Sequence, residues 1–148
     1  MTTIFDPSNS DDSFAASELQ RAGQILAPRI YTTGEVVYGA KAPGGFADIQ
    51  TYEDALAHVH RLKAQGAHGI KNYNQPRRDQ RQQVVKAAKE EGLLVVPEGG
   101  SLFTMDMSLI QDGNSSVEHN VPQRVLYEDV LSFWAQTSVA YTPTLVVT

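Results

Sequence analysis

The chain has no cysteine in its 148 residues. That excludes a disulfide framework and any thiolate metal site, so a metal here must be held by histidine, carboxylate or lysine chemistry. It also lacks a surplus of basic charge: the formal net charge is −5, which gives no electrostatic reason to expect a nucleic-acid partner. No apolar run approaches a membrane span, and Met1 to Ser10 carries neither a basic n-region nor an apolar h-region. The expectation is a soluble, mildly acidic protein without signal or transmembrane segment, its compartment unknown. The length suits one domain, enough to bury roughly two-thirds of the unfolded surface.

What is present is an alternation of helical and extended patterns. Residues 1–13, rich in Ser, Asn, Asp and Pro from residue 6 on, read as a flexible lead-in, and 14–148 as the folded domain. Phe14 to Leu26 repeats apolar residues near a 3.6 period and predicts a helix stopped by Pro28; Arg29 to Gly34 is β-rich and predicts a strand. Val36 to Gln50, containing Pro43-Gly44-Gly45, reads as a long loop of the kind that serves as a lid. Thr51-Tyr52-Glu53-Asp54 is a capping-box start for a helix with Gly66 at its C′ position. A strand at 67–73, a helix from Asn74-Gln75-Pro76 to Gly92, a strand at 93–97, a short helix from Met105 to Gln111, a strand at 116–119, a helix through Val125 to Trp134 and a final strand from Val139, redirected at Pro143, complete the pattern. Strand, helix, strand at near-constant spacing means α/β architecture with a parallel sheet.

Three of these apolar runs stop on residues that can bind a metal. Gly66-Ala67-His68-Gly69-Ile70-Lys71 closes on a lysine, Leu93-Leu94-Val95-Val96-Pro97-Glu98 on a carboxylate, and Ser116-Val117-Glu118-His119 on an imidazole. Parallel strands deliver their C-terminal ends to one face, so Lys71, Glu98 and His119 are expected to converge there as metal ligands.

Each has a plainer reading beside it. Lys71 is either a solvated or salt-bridged lysine or a partly buried reactive amine. Glu98 is either a loop carboxylate near a helix start or a ligand, and His119 either a satisfied core histidine or a metal or acid–base residue. His58-Val59-His60 is not a ligand pair, because positions two apart on a helix point in nearly opposite directions. Arg77 and Arg78, with Arg81, form a basic cluster at a predicted helix start, and with Tyr73 they are the candidates to contact an anionic substrate group. Their alternative is an exposed face paired with Asp79.

Gly66-Ala67-His68-Gly69-Ile70-Lys71, Gly92 to Glu98, Val117-Glu118-His119-Asn120 and Tyr141-Thr142-Pro143-Thr144-Leu145, in that order, resemble the amidohydrolase superfamily. The likeness is nearer to the imidazolonepropionase-like and prolidase-like metal-dependent hydrolases, including those fused to TolB-type propellers. The resemblance implies a (β/α)₈ TIM barrel, of which this chain would be a fragment covering strands three to seven. It implies hydrolysis of amide or other C–N bonds in a small peptide-like substrate, with zinc as the first choice of divalent metal and manganese or iron as alternatives. Lys71 would be the lysine carboxylated to bridge two ions and His119 the strand-six ligand, while Glu98 stands where the family has a strand-five histidine. The family's strand-one His-x-His and strand-eight aspartate match nothing here, which implies a partial site with little or no turnover in isolation. A barrel of this kind takes about 250 residues. A partial barrel has open edges, so self-association is expected. The competing expectation is a non-catalytic α/β ligand-binding or interaction module, using Arg77, Arg78 and the 36–50 loop.

Overall fold

A computed structural model describes residues 1–8, 11–41 and 47–145. The elements in chain order are β1 (Thr3–Asp6), α1 (Asp12–Arg21), β2 (Arg29–Thr32), α2 (Tyr52–Gln65), β3 (Gly69–Asn72), α3 (Arg78–Glu90), β4 (Leu94–Pro97), α4 (Phe103–Gln111), β5 (Ser116–Glu118), α5 (Glu128–Ala135) and β6 (Ala140–Thr142). Strands and helices alternate throughout, and each strand pairing is parallel. The α/β reading therefore holds.

The expectation of a length of TIM-barrel wall is corrected. Ladders join β1 to β2, β3 to β4 and β5 to β6, giving three two-stranded sheets. Where pairs meet, the contacts are individual bonds: His68 N–H to the Thr32 carbonyl at 2.9 Å, and Ser115 N–H to the Val95 carbonyl at 2.8 Å. In a parallel ladder alternate residues turn their N–H and C=O to opposite sides, and the groups turned away from each pair meet the next pair only at such single bonds, so the pairs do not merge into one barrel wall.

The lead-in reading is corrected at its start. Thr3–Asp6 is a strand in register with Arg29–Thr32, because Thr-Ile-Phe supplies β-branched and aromatic residues directly before the turn-forming Pro7. Helix α1 ends earlier than its periodicity suggests, at Arg21, with Gly23 left-handed at φ 69. Of the predicted 36–50 loop, Pro43-Gly44-Gly45 lies outside the described residues, as does the Val146-Val147 end of the last predicted strand. The flanks of that loop are anchored: Val37 and Ile49 are fully buried, and Val37 forms an isolated parallel bridge to Asn72. No described helix is long and apolar enough to cross a membrane.

The main core lies between α2, α3 and the β3–β4 pair. Ala55, Val59 and Leu62 of α2 meet Val84, Ala87 and Ala88 of α3 over Ile70 and Val95. The predicted capping box is present: Asp54 N–H donates to Thr51 Oγ1 at 3.3 Å, and Thr51 N–H to Asp54 Oδ2 at 2.8 Å. Gly66 closes the helix at φ 100, a conformation that favours a residue without Cβ. This cap turns the chain directly into β3. The strand's pleat sends Ile70 into the helical core and Lys71 to the opposite face. A second, smaller cluster of Leu109, Ile110 and Val117, with Trp134 and Val139 against it, seats β5.

Candidate functional site

Lys71 is third in β3 and pairs in register with Val96, so its side chain runs beneath the end of β4. Its ammonium donates to the Pro97 carbonyl at 3.1 Å and stands 2.7 Å from Glu98 Oε2. The other oxygen of the same carboxylate lies 2.7 Å from His119 Nε2. The three residues expected from the sequence thus form one chain of contacts, with Glu98 in the middle. Side-chain exposure rises along it, from 4% at Lys71 through 20% at Glu98 to 45% at His119. The lysine is an internal anchor and the histidine faces the opening.

Two turns hold this arrangement. The Pro97–Gly100 turn is laid against the Glu118–Asn120 turn so closely that a Cβ on Gly99 would stand 2.3 Å from the Glu118 carbonyl oxygen. His119 is left-handed, at φ 66, and among the described residues no other non-glycine has positive φ. Such a conformation is costly for a residue with a Cβ and collects at functional positions. Its N–H donates to the Thr142 carbonyl at 3.1 Å, its Nδ1 lies 2.9 Å from Thr144 Oγ1, and Asn120 donates to the Thr144 carbonyl at 3.1 Å. The last residue of β6 therefore holds the backbone of the histidine, and Thr144 beyond the strand holds its ring. A cleft of ≈ 410 Å³ opens over Glu98, Ser101, His119, Asn120 and Thr144.

Thr144 is a site residue that reasoning on strand ends did not single out, although it lies in the Tyr141–Leu145 stretch two residues past β6. Asp106 is another. It is fully buried on α4, accepts the Gly100 N–H at 3.0 Å through Oδ1, and leaves Oδ2 without a partner. Burial pushes its carboxyl up, against the opposing pull of the Gly100 N–H.

The expected substrate-contacting residues do not join this group. Arg77 Nε is 3.1 Å from Asp79, and Arg78 is 2.7 Å from Asp112, a carboxylate also held by Arg81 at 2.5 Å. These guanidiniums are spent on the chain's own acids, Arg77 on Asp79 but Arg78 and the buried Arg81 on the distant Asp112. Among the described residues the cleft lining does not include Tyr73, whose ring stands edge-on to Tyr38 at 5.2 Å between centroids. His60 on α2 is occupied by Glu91 at 3.0 Å.

A Xaa-Pro dipeptidase with methionine bound in its active site superposes with a TM-score of 0.74 over 95% of this chain and 41% of its own, at 18% identity. An assigned prolidase from Bifidobacterium longum gives 0.74 over 95% of this chain and 39% of its own, at 20% identity. The bottromycin amidohydrolase gives 0.62 over 80% and 32%, at 19% identity. At these identities the likeness shows a common fold, and this chain spans about two fifths of the first two chains. No protein-family model and no curated sequence matches it.

Proposed function

We propose that the chain carries part of the active site of a divalent-metal-dependent hydrolase cleaving amide or other C–N bonds, with Lys71, Glu98 and His119 facing the metal. The observation that carries this reading is the position of the Glu98 carboxylate, 2.7 Å from both Lys71 Nζ and His119 Nε2 at the mouth of an open cleft. A fold shared with a dipeptidase and an amidohydrolase supports it.

The donor chemistry fits a metal in part. A carboxylate with an imidazole suits zinc first, and manganese or iron as alternatives. Among the described residues no three His, Cys, Asp or Glu side chains stand together as a metal cluster. A third donor then has to be Lys71, which becomes a ligand once its amine is neutral or carboxylated. When bound, the ion would polarise the scissile carbonyl as a Lewis acid. The chain's own residues do the rest: Lys71 and the Pro97 carbonyl hold the Glu98 turn, and Thr144 engages Nδ1 of His119. That leaves Nε2, which faces the cleft beside Glu98, as the nitrogen that would hold the ion. The substrate class is a small amide or peptide-like molecule, and turnover by this partial set is expected to be low.

Calorimetric titration of untagged protein with Zn²⁺ and Mn²⁺ tests the reading. Saturable binding that weakens about tenfold or more in His119→Ala, in line with the loss of one ligand, is the expected result. Absence of saturable binding, or affinity unchanged in both His119→Ala and Lys71→Ala, would remove it. Assembly belongs to the same proposal. Leu131, Phe133 and Tyr141 leave an apolar surface on α5 and β6 exposed, and light scattering at increasing concentration is expected to show self-association.

A further inference from the structure

Asp106 does not line the cleft, but it holds a residue that does. It is fully buried in the first turn of α4, and its two oxygens share a single bond: Oδ1 accepts the Gly100 N–H at 3.0 Å, while Oδ2 has no partner among the described residues. The other buried residues of this helix are Leu109 and Ile110. A carboxyl placed among them gives up its hydration for one hydrogen bond, so stability alone would favour an apolar side chain here. Departures from polar satisfaction collect where a residue serves a site.

The bond is placed to do so. Gly100 is two residues past Glu98 and left-handed at φ 80. A Cβ on Gly99 would stand 3.2 Å from Asp106 Oδ1 and 2.3 Å from the Glu118 carbonyl oxygen, so residue 99 is enclosed between α4 and the turn that carries His119. With no side chain of its own, Gly100 can be held only through its backbone, and Asp106 takes its N–H. Lys71 fixes the same turn at its start, through the Pro97 carbonyl at 3.1 Å. The carboxylate of Glu98 is carried between these two supports.

We infer that Asp106 is a positioning residue for the Glu98–His119 contact. By clamping the Gly100 N–H it keeps the 97–100 turn against the 118–120 turn, and so keeps Glu98 Oε1 at 2.7 Å from His119 Nε2. The role rests on the reading of Lys71, Glu98 and His119 as the functional group, but it concerns the acceptor that Asp106 supplies and not the ion. It needs an oxygen at this point and not a charge, so an amide at residue 106 fulfils it.

The test is NMR of the full chain, freed of metal by chelator, following the His119 ring resonances and the hydrogen exchange of the Gly100 amide. Asp106→Ala is expected to shift the ring resonances and to speed Gly100 exchange about tenfold or more, the scale of one hydrogen bond to a buried acceptor. Asp106→Asn restores an acceptor and is expected to keep both at the parent's values. Leu109→Ala opens a cavity on the same buried face of α4 and is expected to lower the melting temperature while leaving the His119 resonances in place. Should Asp106→Ala not fold, Asp106→Ser, whose oxygen falls one bond short of Gly100, takes its place with the same expected shifts. Ring resonances unmoved in the Ala or Ser variant, moved as far in Asp106→Asn, or moved equally by Leu109→Ala would each overturn the inference. Because the samples hold no metal, a parent that fails to bind zinc or manganese counts against the proposed hydrolase and leaves this result as it stands.

Discussion

Lys71 Nζ lies 2.7 Å from Glu98 Oε2, and the two ends of this pair are unequally buried, at 4% and 20% exposure. Removing one partner of a buried pair is costly because the other charge remains behind, roughly 3–5 kcal/mol when both are enclosed. The residue left behind decides the size. Glu98→Gln strands the more deeply buried ammonium, whereas Lys71→Met leaves a carboxylate that still has His119 and solvent. Urea unfolding is expected to show the larger loss for Glu98→Gln, about 3 kcal/mol, with the double variant recovering part of it. The reverse order of the two single variants would contradict this account.

Asp112 gives a dependence on pH. Burial alone would raise its carboxyl, but hydrogen bonds from Arg78, Gln82 and Arg81 outweigh burial and hold it below the usual carboxylate value. A depressed folded value means stability present above the unfolded pKa of about 3.9 and lost as pH falls through the folded one. Asp112→Asn is therefore expected to be less stable than the parent at pH 7, by about 2–4 kcal/mol for a broken buried ion-pair network. The gap should narrow as pH falls below the unfolded value and through the depressed folded one. Denaturant unfolding across that range measures it, and a constant gap would count against the linkage.

Asp106 has the opposite sign. Its carboxyl is raised by burial, with only the Gly100 N–H opposing. The folded protein therefore holds this proton more tightly than the unfolded chain, and stability falls as pH rises from the unfolded pKa, about 3.9, through the folded value. Asp106→Asn keeps an oxygen for Gly100 N–H and removes the ionisation. The variant is expected to match the parent near pH 3 and exceed it at pH 7, read from melting temperatures at the two pH values. A variant less stable at neutral pH would show that the carboxylate is wanted there.

The legible parts of the site were those written in single runs. Ile70-Lys71, Pro97-Glu98 and Glu118-His119 each set a polar residue after apolar ones, and parallel pairing supplied the convergence. Asp106 and Thr144 carry no such mark. Asp106 stands between two methionines in the first turn of a helix, where an acid is unremarkable, and only the fold-back of the Gly99-Gly100 turn buries it. The arginine cluster was legible in composition but not in partner, because Asp112 is distant in sequence and meets Arg78 and Arg81 through the packing of α3 against the end of α4. Strand β1 was hidden by its brevity beside a proline and serines. The continuous sheet was over-read, since periodicity reports strands but not how many neighbours each one bonds.

The two glycines after Glu98 separate conformation from contact. Gly92 and Gly100 are both left-handed, at φ 71 and φ 80, but a Cβ on Gly92 would meet nothing within 4 Å whereas one on Gly100 would stand 2.9 Å from His119 Cβ. Gly92→Ala is then expected to cost only the left-handed penalty, about 1–2 kcal/mol, and to leave the site alone. Gly100→Ala carries that cost together with displacement of the histidine turn. Gly99→Ala lacks the conformational term, but its Cβ would lie 2.3 Å from the Glu118 carbonyl oxygen, a backbone atom that cannot rotate aside. It is expected to lose about 1–3 kcal/mol by overpacking and to separate Glu98 from His119. The His119 ring resonances should move in Gly99→Ala and Gly100→Ala and stay in place in Gly92→Ala. Equal shifts in all three would mean that the two turns do not position the imidazole.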